Sequence, residues 1–67
     1  MKPLRVIVLA PSDVVGVRLM DDLHMAKYVR GKKILKENHD VIVTLYKTFV
    51  NYIDDLKERY DVVIIDE

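Results

Sequence analysis

The sequence predicts an α/β fold, a three-stranded parallel sheet in β-α-β-α-β order. Three observations predict it. Short apolar runs rich in β-branched residues occupy residues 4–10, 41–46 and 61–67. The stretches between them carry apolar residues at helical spacing. The runs are apolar at successive rather than alternate positions, as in parallel strands covered on both faces.

Residues 4–10 read LRVIVLA, and Pro11 stops the strand. Ser12 or Asp13 then caps a helix, its side-chain oxygen accepting from a free N–H of the first turn. Val15, Leu19, Leu23 and Ala26 share one helical face, and Ile34 returns near it. Arg30 would interrupt that stripe in one unbroken helix. Three readings stand: the arginine reaches out along its methylene stem, the helix breaks near Gly31, where glycine costs about 1 kcal/mol against alanine, or the arginine is buried and functional. Residues 41–46, VIVTLY, form the second strand. Asn51 caps the second helix. Asp54 and Asp55 suit its first turn, Lys57 and Arg59 its last, and Ile53, Leu56 and Tyr60 face inward. Residues 61–67, DVVIIDE, make a third strand that ends in two acids.

With 67 residues the chain holds one domain at most, a single partial unit over 1–67. A domain this small buries only about 60% of its unfolded surface. It has no cysteine, which removes disulfides, thiolate metal sites and Cys nucleophiles. Two histidines do not make a closed metal site, so no metal and no cofactor is expected. No apolar run approaches the ~20 residues of a membrane helix, and the start lacks the uncharged core of a signal peptide. The expected location is cytoplasmic. Eleven bases balance eleven acids, but residues 1–36 hold eight bases against three acids and residues 37–67 three against eight. Opposite ends of this kind favour association, and they equally suit ordinary solvated faces.

Strand–helix–strand units give parallel pairs with right-handed crossovers. Strand order 3-2-1 puts both helices on one face, as in the first half of a Rossmann domain. Order 2-1-3 puts them on opposite faces, as in flavodoxin-like sheets. Either way, two helices cannot cover both faces of three apolar strands, and open edges or apolar patches mark partner surfaces. The expectation is an incomplete Rossmann-like three-layer sandwich. It is a fragment completed by the remainder of a longer polypeptide, or an oligomer formed by self-association through the sheet.

Nucleotide motifs are absent. The turn after the first strand has one glycine, Gly16, where a dinucleotide fingerprint needs three, and no Gly-Lys-Ser/Thr phosphate loop exists. Asp66 ends the third strand as in receiver domains, but Ala10 and Pro11 stand where their acidic pair belongs. Asp22 and His24 have the spacing of a cobalamin-binding motif, but Lys27 replaces its glycine, so His24 reads as a surface residue and His39 as a turn residue. Lys27, Arg30, Lys32, Lys33 and Lys36 cluster around a single aromatic, Tyr28. Without a recognition motif this is a solvated helix face, and no nucleic-acid partner is expected.

One pattern spans almost the whole chain. The first strand, followed by Pro11, Ser12, Asp13 and Gly16, leads to a helix containing LHMAKYV, then to Asn38, His39, Asp40 and Val41, then to Tyr60, Asp61, Val62 and Val63. This resembles the amino-terminal portion of GT-B glycosyltransferases. The resemblance implies a sugar transferase using a nucleotide-sugar donor, bound mainly by a second domain that these residues do not include. It therefore implies the acceptor-side half-domain, inactive alone, with nucleotide-sugar bound only in the full enzyme and catalytic residues unassigned. The candidate ligand-binding residues are Ser12, Asp13 and Gly16 after the first strand, with Asp66 and Glu67 at the same sheet edge, since ligands of open α/β sheets bind outside strand carboxyl ends. The rival expectation is a stand-alone small α/β interaction protein acting as a homo-oligomer or binding a host protein.

Overall fold

The computed structural model describes residues 3–24 and 26–66. Four strands, not three, form one all-parallel sheet: β1 (Val6–Ala10), β2 (Lys27–Tyr28), β3 (Val41–Leu45) and β4 (Val62–Ile65), in the order β2-β3-β1-β4. The expected three strands are β1, β3 and β4, each one to three residues shorter than read from sequence. Their mutual order is 2-1-3, the flavodoxin-like arrangement rather than that of a first Rossmann half.

The added strand corrects the helical reading of residues 13–36. Helix α1 spans only Asp13–Leu23, capped by Ser12, whose hydroxyl accepts from the Val15 N–H at 3.5 Å. It ends at His24, where φ is 57°, well before Gly31. Asp21 and Asp22 stand in the last turn, which holds no base, so the helix dipole gives this end no support. Ala26, Tyr28 and Val29 then form and flank β2. Gly31 does break the backbone, with φ 70°, but there it opens a 3-10 helix, Gly31–Lys36. Arg30 lies exposed between β2 and that helix and interrupts no apolar stripe.

The second helical region also starts earlier than expected. Helix α2 (Tyr46–Asn51) leaves β3 directly, so Asn51 ends a helix rather than capping one. Tyr52 separates it from α3 (Ile53–Arg59), which carries Asp54 and Asp55 in its first turn and Lys57 and Arg59 in its last. Leu56 and Tyr60 are buried, whereas Ile53 is exposed.

Chain direction decides which face each connection covers. From β1 the chain passes β3 to reach β2. It then returns from β2 to β3, and from β3 past β1 to β4. Right-handed crossovers running in opposite directions lie on opposite faces. Val15 and Leu19 of α1 accordingly pack on Val8, Ala10 and Val43. Ile34 of the 3-10 helix, Phe49 of α2 and Leu56 of α3 pack with Ile7, Leu9 and Ile42 on the other face.

The amino ends of the strands are closed by an arginine–tyrosine lock. Arg59 donates to the Ile34 and Glu37 carbonyls at 2.7 and 2.8 Å, satisfying the end of the 3-10 helix, while Asp55 holds its Nε at 2.8 Å. The Tyr60 hydroxyl donates to the His39 carbonyl at 2.9 Å. The Arg5 guanidinium stacks 4.5 Å from the Tyr60 ring centre and donates to the His39 carbonyl at 3.2 Å.

Candidate functional site

At the carboxyl end of the sheet, residues 11–16 carry the chain from β1 into α1. Ser12 is occupied as the helix cap. Asp13 points toward β2, where its carboxylate accepts from the Tyr28 hydroxyl and, at 2.9 Å, from Arg30 Nη1. The Tyr28 hydroxyl foremost, together with Arg30, holds Asp13 below the usual carboxylate range. Burial, then the bond to Asp13, pushes Tyr28 up to about 12. Gly16 is buried because the Tyr28 ring lies against it; a Cβ there would stand 2.6 Å from a ring carbon. Ser12, Asp13 and Gly16 thus build one corner with Tyr28 and Arg30, partners that helical spacing alone did not bring to them.

This corner opens onto a cleft of about 680 Å³ lined by Asp13, Val17, Tyr28, Val29, Arg30 and Lys33, with Lys27 and Glu37 completing its wall. Glu37 is 11% exposed at its side chain. Its Oε1 accepts the backbone N–H groups of Asn38 and His39 at 3.2 Å each and lies 2.8 Å from His39 Nδ1, and its Oε2 lies 3.2 Å from Lys27 Nζ. Burial pushes Glu37 up, but the bonds from His39 and Lys27 outweigh it and hold the carboxyl at about 2. The basic cluster is therefore not one helix face: Lys27 and Arg30 are engaged on either side of the cleft, and Lys32, Lys33 and Lys36 lie on the 3-10 helix.

Asp66 is not part of this corner. It follows β4, beside β1 on the sheet's other flank. Its N–H donates to the Leu9 carbonyl at 3.0 Å, and its own carbonyl accepts from the Tyr46 hydroxyl at 3.1 Å. Glu67 lies outside the described residues. His24 is exposed at the end of α1, and His39 sits in the turn before β3. No group of three or more His, Cys, Asp or Glu among the described residues is placed to hold a metal ion. No described helix is long and apolar enough to cross a membrane.

The second feature is β4 itself. Among the described residues it pairs with β1 alone, on one side. The Val62 and Asp66 N–H groups face β1, at 3.1 and 3.0 Å from the Arg5 and Leu9 carbonyls. By alternation, those of Val63 and Ile65 face outward. Val63, Ile64 and Ile65 are 43%, 49% and 63% exposed, so apolar side chains stand uncovered on both faces of the strand.

No family model, curated protein or solved structure matches this chain.

Proposed function

We propose that this chain is a partner-dependent α/β module whose sheet is completed along β4. The observation that carries the reading is the exposure of Val63, Ile64 and Ile65 on both faces of an edge strand. An open apolar edge invites pairing with another strand. The occupant we propose is an extended apolar segment of another polypeptide surface with basic residues at its ends. Asp61 and Asp66 bracket the apolar stretch, and opposite charges directly across a strand pair stabilise it. Antiparallel pairing between two copies of β4 would bring the acidic ends of each strand together, which opposes a homodimer through this edge.

A synthetic peptide of four β-branched residues flanked by lysines provides the test. Amide exchange of the isotope-labelled chain is measured with this peptide and with a glutamate-flanked one. The lysine-flanked peptide is expected to protect the Val63 and Ile65 amides, and the acidic one to leave them exchanging. Equal exchange of both amides with either peptide overturns the reading. So does a dimer through β4 that persists at low salt.

The second reading is the amino-terminal part of a GT-B-like glycosyltransferase, an incomplete Rossmann-like half whose remaining strands and second domain would cover β4. The motifs at residues 38–41 and 60–63, leading into β3 and β4, support it. The strand order does not, because a first Rossmann half places its third strand outside its second. Under this reading the chain alone transfers no sugar, and turnover in a transfer assay with nucleotide-sugars would count against it.

A further inference from the structure

The cleft beside α1 has a donor–acceptor imbalance that bears on what it can hold. Its volume, about 680 Å³, falls within the roughly 300–1,000 Å³ of small-molecule sites. Its two acids are already engaged. Asp13 accepts from Tyr28 and Arg30, and Glu37 accepts from two backbone N–H groups and meets His39 and Lys27. Its three bases are not used up. An ammonium offers three donors and a guanidinium five. Arg30 gives one hydrogen bond and Lys27 makes one ion pair, while Lys33 makes no ion pair among the described residues. What the cleft leaves free is donors and positive charge, set beside the exposed Val17 side chain and the half-buried Tyr28 ring.

We propose that this cleft binds a small organic phosphate monoester, with Lys33 and the free edge of Arg30 on the phosphate and Val17 and Tyr28 against the organic body. A phosphate monoester brings three acceptor oxygens for these surplus donors, where a carboxylate brings two. Arg30 is held in place by Asp13 before any ligand arrives, so its planar fork loses little freedom on binding. The site is independent of β4, which lies on the opposite flank of the sheet.

The test is a titration of the labelled full chain with phenyl phosphate, benzoate and inorganic phosphate, followed by amide chemical shifts. Phenyl phosphate is expected to shift Val17, residues 28–30 and Lys33 saturably, with benzoate at least about tenfold weaker, the equivalent of one charge-assisted hydrogen bond. Inorganic phosphate should shift Lys33 without Val17, because it has no organic body. Lys33→Gln should weaken phenyl phosphate about tenfold with the β1 and β3 amides unmoved, while Lys57→Gln on α3 changes nothing. Shifts that do not saturate, or equal losses in the two lysine variants, overturn the proposal and leave general surface attraction as the explanation.

Discussion

Thr44 is wholly buried in β3, 0% exposed, and its hydroxyl has no hydrogen-bond partner among the described residues. A buried hydroxyl left unpaired costs roughly 1–3 kcal/mol. Thr44→Val keeps the branched shape and removes the orphan, so it is expected to raise stability by about 1 kcal/mol in denaturant unfolding. A loss of stability would mean that the hydroxyl has a partner in solution. Gly16 shows the converse. Its missing Cβ leaves room for the Tyr28 ring, which can move aside only by giving up its bond to Asp13. Gly16→Ala is expected to cost about 1–3 kcal/mol by overpacking and to lower the Tyr28 pKa as the ring leaves its pocket, read by phenolate absorbance. Gly31→Ala meets no atom within 4 Å, and its cost arises from the positive φ alone. Gly16 is legible in the sequence as a glycine in a helix start; that it serves Tyr28 is not, because the rest of α1 and the turn into β2 separate them.

Among the elements, the 3-10 helix and its exit illustrate how short segments are held. Gly31–Lys36 contributes one fully buried side chain, Ile34. Its end is held by Arg59 on two carbonyls and by Glu37 on the following turn. Folding favours ionised Glu37, whose pKa falls from 4.5 to about 2. The stability it adds is therefore complete above about pH 4.5 and is lost as pH falls toward 2. Thermal melts between pH 6 and 2 are expected to show a steeper decline in the parent chain than in Glu37→Gln, which lacks this proton uptake. Parallel curves would mean that Glu37 is solvated in the native state. The adjoining helices were partly readable. The Asp54–Asp55 and Lys57–Arg59 charges marked α3 correctly, since they respond to its own dipole. The start of α2 was hidden, because Tyr46 and Phe49 suit a strand and a helix equally and only the core they enter selects between them.

At the scale of the molecule, the fold packs well yet leaves one flank open. Its radius of gyration, 10.8 Å, matches the about 11 Å of a complete domain of this length. Other apolar side chains are exposed too, such as Val14 and Val50 on α1 and α2, but among the described residues only in β4 are three consecutive ones uncovered along a strand edge. Ile65 is the most exposed residue of that strand. Ile65→Lys is expected to reduce hydrophobic-dye fluorescence of the chain while changing stability by no more than about 0.5 kcal/mol. A large stability loss with unchanged dye signal would show that this side chain is packed in solution and that the apolar edge is not open.

The residues alone determined that three apolar β-branched runs form parallel strands, that Ser12 or Asp13 opens a helix after the first, and that Asp54, Asp55, Lys57 and Arg59 belong to another. Each of these follows from preferences spanning a few positions: unbroken runs of β-branched residues, capping and the helix dipole. Only the tertiary structure decided that β4 lies beside β1, that residues 27–28 leave the helix to pair with Ile42 and Val43, and that Asp13, Tyr28 and Arg30 meet. These depend on packing and pairing between segments distant in the chain, where a local preference of a few tenths of a kcal/mol is overridden by the burial of side chains such as Ala26 and Val29 against a core assembled from elsewhere.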